Sequence, residues 1–268
     1  MTVSLIISTY NSPQMLELCL KSVLQQSVLP DEVLIADDGS KEDTKKIIHM
    51  FQQNAPMPIN HVWHEDHGFR LTVIRNKAIA QARMDYIIQI DGDIILHRHF
   101  IKDHKQFAHR GSFVSGSRVN IQPELSKELL STKRITIPIH SRGVHNKLNG
   151  LRCKLITRLM QNYKRSNIMY VRGCNMGFWK EDLIKVNGYN ENMIGWGRED
   201  SEIACRLTFA GIQKRFIKNA AIAFHIFHPE NSRSQDNINN QIMLQTFQEK
   251  RTWCDKGLNQ YLTGKESE

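Results

Sequence analysis

Over its first hundred residues the chain alternates short apolar runs with stretches of helical periodicity, and that alternation leaves few folds open. Residues 3–8, 32–36, 59–64 and 86–90 read as strands. The first, second and fourth are apolar almost throughout, the pattern of strands buried on both faces. Between the first two, Leu16, Cys19, Leu20, Val23 and Leu24 recur at helical spacing, after a Ser12 suited to an N-cap and a Pro13 suited to the first turn. Residues 43–53 and 71–83 read as two further helices. Strand and helix in turn predict an α/β fold, with a mainly parallel central sheet flanked by helices. Farther on, residues 112–120, 169–179 and 220–227 have strand character. Residues 181–186 and 200–211 have helical character, the latter with Ile203, Ala204, Leu207 and Ala210 on one face and Gly211 as its C-cap. One domain over residues 1–230 is expected, with a polar, partly helical tail over 231–268.

Three strands of the first half end in polar clusters: Thr9-Tyr10-Asn11, Asp37-Asp38-Gly39-Ser40 and Asp91-Gly92-Asp93. In open α/β sheets ligands bind outside the carboxyl ends of the strands, so three such clusters in order mark a site. Two carboxylates one residue apart at the end of a buried strand are costly unless neutralised. A divalent cation with a taste for oxygen, Mg²⁺ or Mn²⁺, is the usual answer. The alternative is an Asp-Gly turn. A cation there that also holds a diphosphate would make this a sugar-nucleotide enzyme.

The composition narrows the partners. A hydrophobic content of 40% in 268 residues supports a packed core, and the formal charge of +9 calls for a polyanion. Between Gln122 and Ile168 the bases Lys127, Lys133, Arg134, Arg142, Lys147, Arg152, Lys154, Arg158, Lys164 and Arg165 face only two acids, Glu124 and Glu128. Prolines and glycines break this stretch, which is expected to leave the core as a partly helical excursion. Nucleic acid is not the expected partner: no recognisable binding module is present, and the strand-end carboxylates would repel phosphate without a metal. Five scattered cysteines without a CxxC pair predict reduced thiols and a cytoplasmic chain. No apolar run approaches the ~18 residues of a membrane span, and residues 3–8 lack the basic flank of a signal peptide.

The order of the motifs resembles the family 2 glycosyltransferases of GT-A fold. The likeness runs through Ser8-Thr9-Tyr10-Asn11, Ala36-Asp37-Asp38-Gly39-Ser40, His67-Gly68-Phe69-Arg70, Arg75-Asn76-Lys77-Ala78 and Asp91-Gly92-Asp93. Gly195-Trp196-Gly197-Arg198-Glu199-Asp200 and Phe224-His225-Ile226-Phe227-His228 resemble the galactosyltransferase-type acceptor region of chondroitin-polymerase-like enzymes. The resemblance implies a nucleotide-binding half over residues 1–100 and an acceptor half over 112–230. In it Thr9, Tyr10 and Asn11 line the base pocket and Asp38 accepts the uracil imide N–H, with Asp37 free to cap the turn. Arg75 and Asn76 contact the donor, Asp91 meets the ribose or the metal through water, and Asn175 lines the donor-sugar pocket. Asp93 is the direct metal ligand together with His225, or alternatively His228.

Inverting transfer needs one base for the acceptor hydroxyl. The resemblance gives that role to Asp200, with Glu199 on acceptor hydroxyls and Trp196 as a stacking face. An acid pair at a helix start near Ser201 also suits the helix dipole. Gly195 and Gly197 suggest a mobile loop, although Arg198 stands where the family usually has a second glycine. The expected activity is metal-dependent transfer of a hexose or N-acetylhexosamine from a UDP-sugar to a saccharide acceptor on a lipid-diphosphate carrier, in bacterial surface polysaccharide synthesis. The alternatives are a basic nucleic-acid-binding protein and an inactive scaffold of the same fold. Residues 122–168 are either a contact for the inner face of the plasma membrane, whose anionic lipids attract Lys and Arg, or a solvated basic face.

Overall fold

A computed structural model describes residues 1–229 and 232–262. The predicted alternation forms β1 (Val3–Thr9), α1 (Pro13–Leu24), β2 (Glu32–Asp37), α2 (Glu42–Asn54), β3 (Ile59–Trp63), α3 (Leu71–Gln81) and β4 (Tyr86–Asp91). The chain continues through β5 (Ile94–Leu96), α4 (Phe100–Phe107), β6 (Ser112–Gly116), β7 (Val119–Ile121), α5 (Pro123–Thr132), β8 (Val144–His145) and α6 (Lys154–Leu159). It closes with β9 (Asn175–Trp179), α7 (Lys180–Lys185), α8 (Glu199–Phe209), β10 (Gln213–Ile217), β11 (Ala223–His225) and α9 (Asp236–Gln248).

The central sheet runs β10-β6-β9-β4-β1-β2-β3. β4, β1, β2 and β3 are parallel neighbours, as are β6 and β10, while β9 lies antiparallel to both β4 and β6. Period-two alternation sends side chains of β1 into two cores. Val3, Leu5 and Ile7 pack with Leu16, Leu20 and Val23 of α1 and Ile48 and Phe51 of α2. Ile6 joins Leu34 and Ile87 against Ile74 and Ala78 of α3 and Ile203 and Leu207 of α8. Helices therefore cover both faces, which is why the strands carry no polar face. A second sheet, β5-β11-β7-β8, has its own small core with Leu125 and Leu129 of α5.

The structure departs from expectation in several places. The strand expected over 169–179 is confined to Asn175–Trp179, and the one expected over 220–227 to Ala223–His225. β10 and α4 were not anticipated. Ser12 occupies the N-cap position of α1, but its hydroxyl donates back to the Tyr10 carbonyl instead of capping. The helix expected to start near Ser201 starts at Glu199. Its C-terminus follows expectation: Gly211, at φ +88°, lets Ile212 N–H reach Leu207 O and Gly211 N–H reach Thr208 O.

Residues 232–262 pack onto the body. Thr246 Oγ1 on α9 donates to Glu202, Asn239 donates to Ile194 O, and Asn187 donates to Cys254 O.

Candidate active site

The parallel register aligns the ends of β1, β2 and β4, pairing Thr9 with Asp37 and Ser8 with Asp91. At the carboxyl end of β2, Asp37 shapes the turn: its Oδ1 accepts the Ser40 N–H and its Oδ2 lies 2.8 Å from His61 Nε2. Asp38 beside it is buried and held by other partners. It lies 2.6 Å from His64 Nε2 and accepts the Arg70 backbone N–H at 2.8 Å. Each carboxylate oxygen has a second lone pair, so these bonds orient Asp38 without exhausting it as an acceptor. Asn11 accepts the Lys41 N–H, and exposed Tyr10 donates to Asp66. Thr9 Oγ1 is buried with no hydrogen-bond partner among the described residues.

Arg75, expected as a donor contact, is the hub of the site. Its side chain is 1% exposed. Nε donates to Ser8 Oγ at 3.2 Å, Nη2 to Asp91 Oδ1 at 3.1 Å, and Nη1 to Asp200 Oδ1 at 3.1 Å and Glu199 Oε1 at 3.4 Å. One guanidinium from α3 thus gathers three carboxylates, one at the end of β4 and two from the first turn of α8. Burial pushes the Glu199 carboxyl up to about 7 and Asp91 up to about 6. Asp200 is also raised by burial, against the pull of Arg75. Glu199 and Asp200 sit in the first helical turn, so dipole stabilisation and a place in the site coexist.

Two neighbours of this hub escaped the sequence reading. Tyr189 stacks under the guanidinium at 5.2 Å, and its hydroxyl lies 3.5 Å from Asp200. Gly173 presents its backbone N–H to Asp200, and a Cβ there would fall 1.7 Å from Asp200 Oδ2. Only glycine fits that approach. The run Arg172-Gly173-Cys174-Asn175 was the available signal, but it drew attention to the asparagine.

Asn76 and Asn175, expected as donor contacts, both act as structural clamps. Asn76 is fully buried, donates to Tyr189 O and Glu191, and accepts the Tyr189 N–H. Asn175 is fully buried, donates to Ser117 O and Ala221 O, and pairs with His104 Nε2.

The second sheet builds a candidate metal centre. Antiparallel β5 and β11 pair Ile94 with His225, and Ile226 N–H donates to Asp93 O. That register brings both histidines to Asp93: His228 Nε2 lies 2.9 Å and His225 Nε2 3.4 Å from its Oδ2. The expected alternative ligands therefore stand together, with their ligand atoms within 4.8 Å of one another. The other oxygen, Asp93 Oδ1, is buried without a partner among the described residues. The hydrogen bond to Asp93 raises His228 to about 9, while burial lowers His225. One carboxylate with a free lone-pair set and two imidazoles suit a divalent cation that accepts nitrogen beside oxygen, as Mn²⁺ does more readily than Mg²⁺.

Trp196 is part-exposed on the wall of a cavity of about 280 Å³, shared with Phe69, Ile194 and Gln235. The loop carrying it is strapped to α9: Arg198, at φ +73°, donates to Asp236 at 2.8 and 3.1 Å.

The family model described as glycosyl transferase family 2 matches residues 4–186, and that of the N-terminal domain of galactosyltransferase matches residues 154–229. The chain is 25% identical over 263 residues to chondroitin synthase of Escherichia coli, covering 92% of this chain and 38% of that protein. It is 24% identical over 221 residues to validoxylamine A glucosyltransferase of Streptomyces hygroscopicus subsp. limoneus, covering 78% of this chain and 48% of that one. It therefore spans less than half the length of these relatives. Among solved structures, S. aureus TarS 1-349 in complex with UDP aligns at a TM-score of 0.65 and 16% identity, over 97% of this chain and 68% of that one. The mannosyltransferase PcManGT from Pyrobaculum calidifontis, in complex with GDP-Man and Mn2+, aligns at 0.61 and 18%, over 92% and 63%. At such identities the likeness is one of fold, and it is the GT-A fold.

Proposed function

Because the chain belongs to glycosyl transferase family 2, we propose that it is an inverting, metal-dependent transferase moving a hexose or N-acetylhexosamine from a UDP-sugar to a saccharide acceptor. The observation that carries this reading is the Arg75 hub. It holds the Glu199-Asp200 pair against Asp91 at the strand edge where a nucleotide belongs.

Asp200 accepts the proton of the acceptor hydroxyl as that oxygen attacks the anomeric carbon. The bond from that carbon to the UDP oxygen breaks on the opposite face, which inverts the configuration. A single base suffices for one displacement, and a carboxyl raised toward neutrality is a better base than an exposed one. Arg75 orients Asp200, and Gly173 N–H and Tyr189 support it. Glu199 holds acceptor hydroxyls, and Trp196 offers the sugar a stacking face. Asp38 selects uracil through its imide N–H. Asp93, His225 and His228 would hold the cation, Mn²⁺ or Mg²⁺, which when bound neutralises charge on the departing diphosphate. A relative named for chondroitin synthesis and a neighbour solved with UDP support the choice of saccharide acceptor and donor. The acceptor we favour is carried on a lipid diphosphate and met at the cytoplasmic face of the membrane, in surface polysaccharide synthesis.

Asp200→Asn tests the reading. Transfer should fall by about 10²–10⁴-fold, the range of a general base, while UDP binding by calorimetry is unchanged. Turnover at the unmutated rate would sink the assignment.

A further inference from the structure

We propose that residues 147–165 form a docking face for an anionic lipid bilayer, separate from the transfer site. The segment crosses a 3₁₀ turn at Lys147–Gly150 and then α6. Leu148, Leu151, Leu155, Ile156 and Leu159 are all exposed along it, Leu148 at 74% and Leu159 at 75%. Single exposed apolar residues are ordinary on a protein surface. Five within a dozen residues are not.

The orientation of α6 makes them a ridge. Thr157 is its buried residue, with its hydroxyl on Cys153 O. At about 100° per residue, Leu155 and Leu159 lie two positions to either side of Thr157 and point almost directly away from the body. Lys154 and Arg158 stand one position before each leucine, along a flank of the same helix. Neither has a carboxylate partner among the described residues.

The ridge stands on a fixed base. Arg152 holds Asp103 of α4 with contacts of 2.5 to 3.2 Å, and Cys153 N–H donates to Asn219 O. The Asn219 amide donates in turn to Leu148 O at 2.7 Å and Leu151 O at 2.8 Å. Backbone and base are tied down, while the leucines are left in solvent.

Charge identifies the occupant. No acidic residue lies between Glu128 and Glu181, so the leucines sit inside an uninterrupted basic stretch. Lys164 and Arg165 continue it along an open depression beside Asn162 and Ser166. A polyanion such as nucleic acid would use the cations and leave the leucines wet. An anionic bilayer uses both, taking apolar side chains at the acyl boundary and lysines and arginines among the headgroups.

The test is flotation of the full chain, without donor or acceptor, on phosphatidylcholine vesicles with and without phosphatidylglycerol. The wild type should float with the anionic vesicles only. Lys154→Gln/Arg158→Gln should weaken that binding about thirtyfold, the factor two cations contribute beside an anionic surface. Leu155→Ser/Leu159→Ser should weaken it at least about tenfold. Equal behaviour on neutral and anionic vesicles would overturn the proposal. So would an unaltered leucine variant, which leaves only a solvated basic face, or displacement from the vesicles by duplex DNA at matched phosphate. Transfer to a soluble saccharide acceptor, measured in parallel, should be the same in the leucine variant and the wild type, so failure here is separable from failure of the transferase reading.

Discussion

Arg75 brings one positive charge to three carboxylates, and the imbalance sets the pH behaviour of the site. Burial raises Asp91, Glu199 and Asp200, so the cluster takes up protons at a higher pH than exposed carboxylates would. A base works only unprotonated, and burial raises Asp200, so kcat/KM should decline with falling pH sooner than it would for an exposed carboxylate. Stability should move the opposite way. A carboxyl whose folded pKa exceeds its unfolded value binds protons more tightly when folded, so its contribution improves as pH falls from about 7 toward its ordinary value and is lost as pH rises. Glu199→Gln should flatten that part of the Tm–pH curve. Arg75→Gln should shift the acid limb of the rate profile to higher pH and lower the Tm, because breaking a buried charge network costs about 3–5 kcal/mol. Arg75→Lys should recover charge but not the four-way contact, and so only part of the rate. Removal of metal with EDTA should abolish transfer and Mn²⁺ should restore it in the wild type. His228→Gln should demand more Mn²⁺ for the same rate.

Asp91, Asp93, Glu199 and Asp200 stood out in the sequence because they end a buried strand and open a helix, although turn and helix-dipole roles fit the same positions. The role of Arg75 was not legible, since its acidic partners on α8 lie 124 and 125 residues away. Asn76 and Asn175 drew a ligand-contact reading because each is a polar side chain inside a motif. Burial converts the same amide into a backbone clamp.

Elements that bury both faces announce themselves, and those that bury one do so weakly. β1, β2 and β4 are legible as unbroken apolar runs. β10, with sequence Gln-Lys-Arg-Phe-Ile, is an edge strand whose polar residues mask it. α4 hides its Phe100, Ile101 and His104 stripe among charged neighbours. The loop before α8 shows how a departure from a familiar pattern is accommodated. Arg198 holds a left-handed conformation that favours glycine, and its ion pair with Asp236 fixes the loop to α9. Arg198→Gly should relieve the strain while losing a part-exposed pair, two small effects of about 1 kcal/mol or less that nearly cancel in Tm. The same change frees the loop, so the acceptor KM should rise while the donor KM holds. Equal acceptor KM values in the two proteins would show that the strap does not shape the acceptor side.

At the scale of the whole molecule, the two halves and the tail form one interlocked body. Glu202 and Arg206 pair fully buried on α8, and Thr246 from α9 completes their hydrogen bonding. Leu258 beyond α9 packs into the core shared by α3, α7 and α8. Truncation after residue 231 should therefore expose that core and leave Glu202 short of a partner. The product should be insoluble, or melt far below the full chain by circular dichroism.

The alternation in the first half made the sheet legible. The docking of the second half depends on contacts across more than a hundred residues, which no local pattern encodes. Arg75 joins those halves by charge as well as by packing, and this has a consequence for how such chains can be recombined. A hybrid with a crossover anywhere between residues 75 and 199 inherits its cation from one parent and its acid pair from the other. Such chimeras will be limited by electrostatic bookkeeping at one buried point, even where their sheets and helices fit.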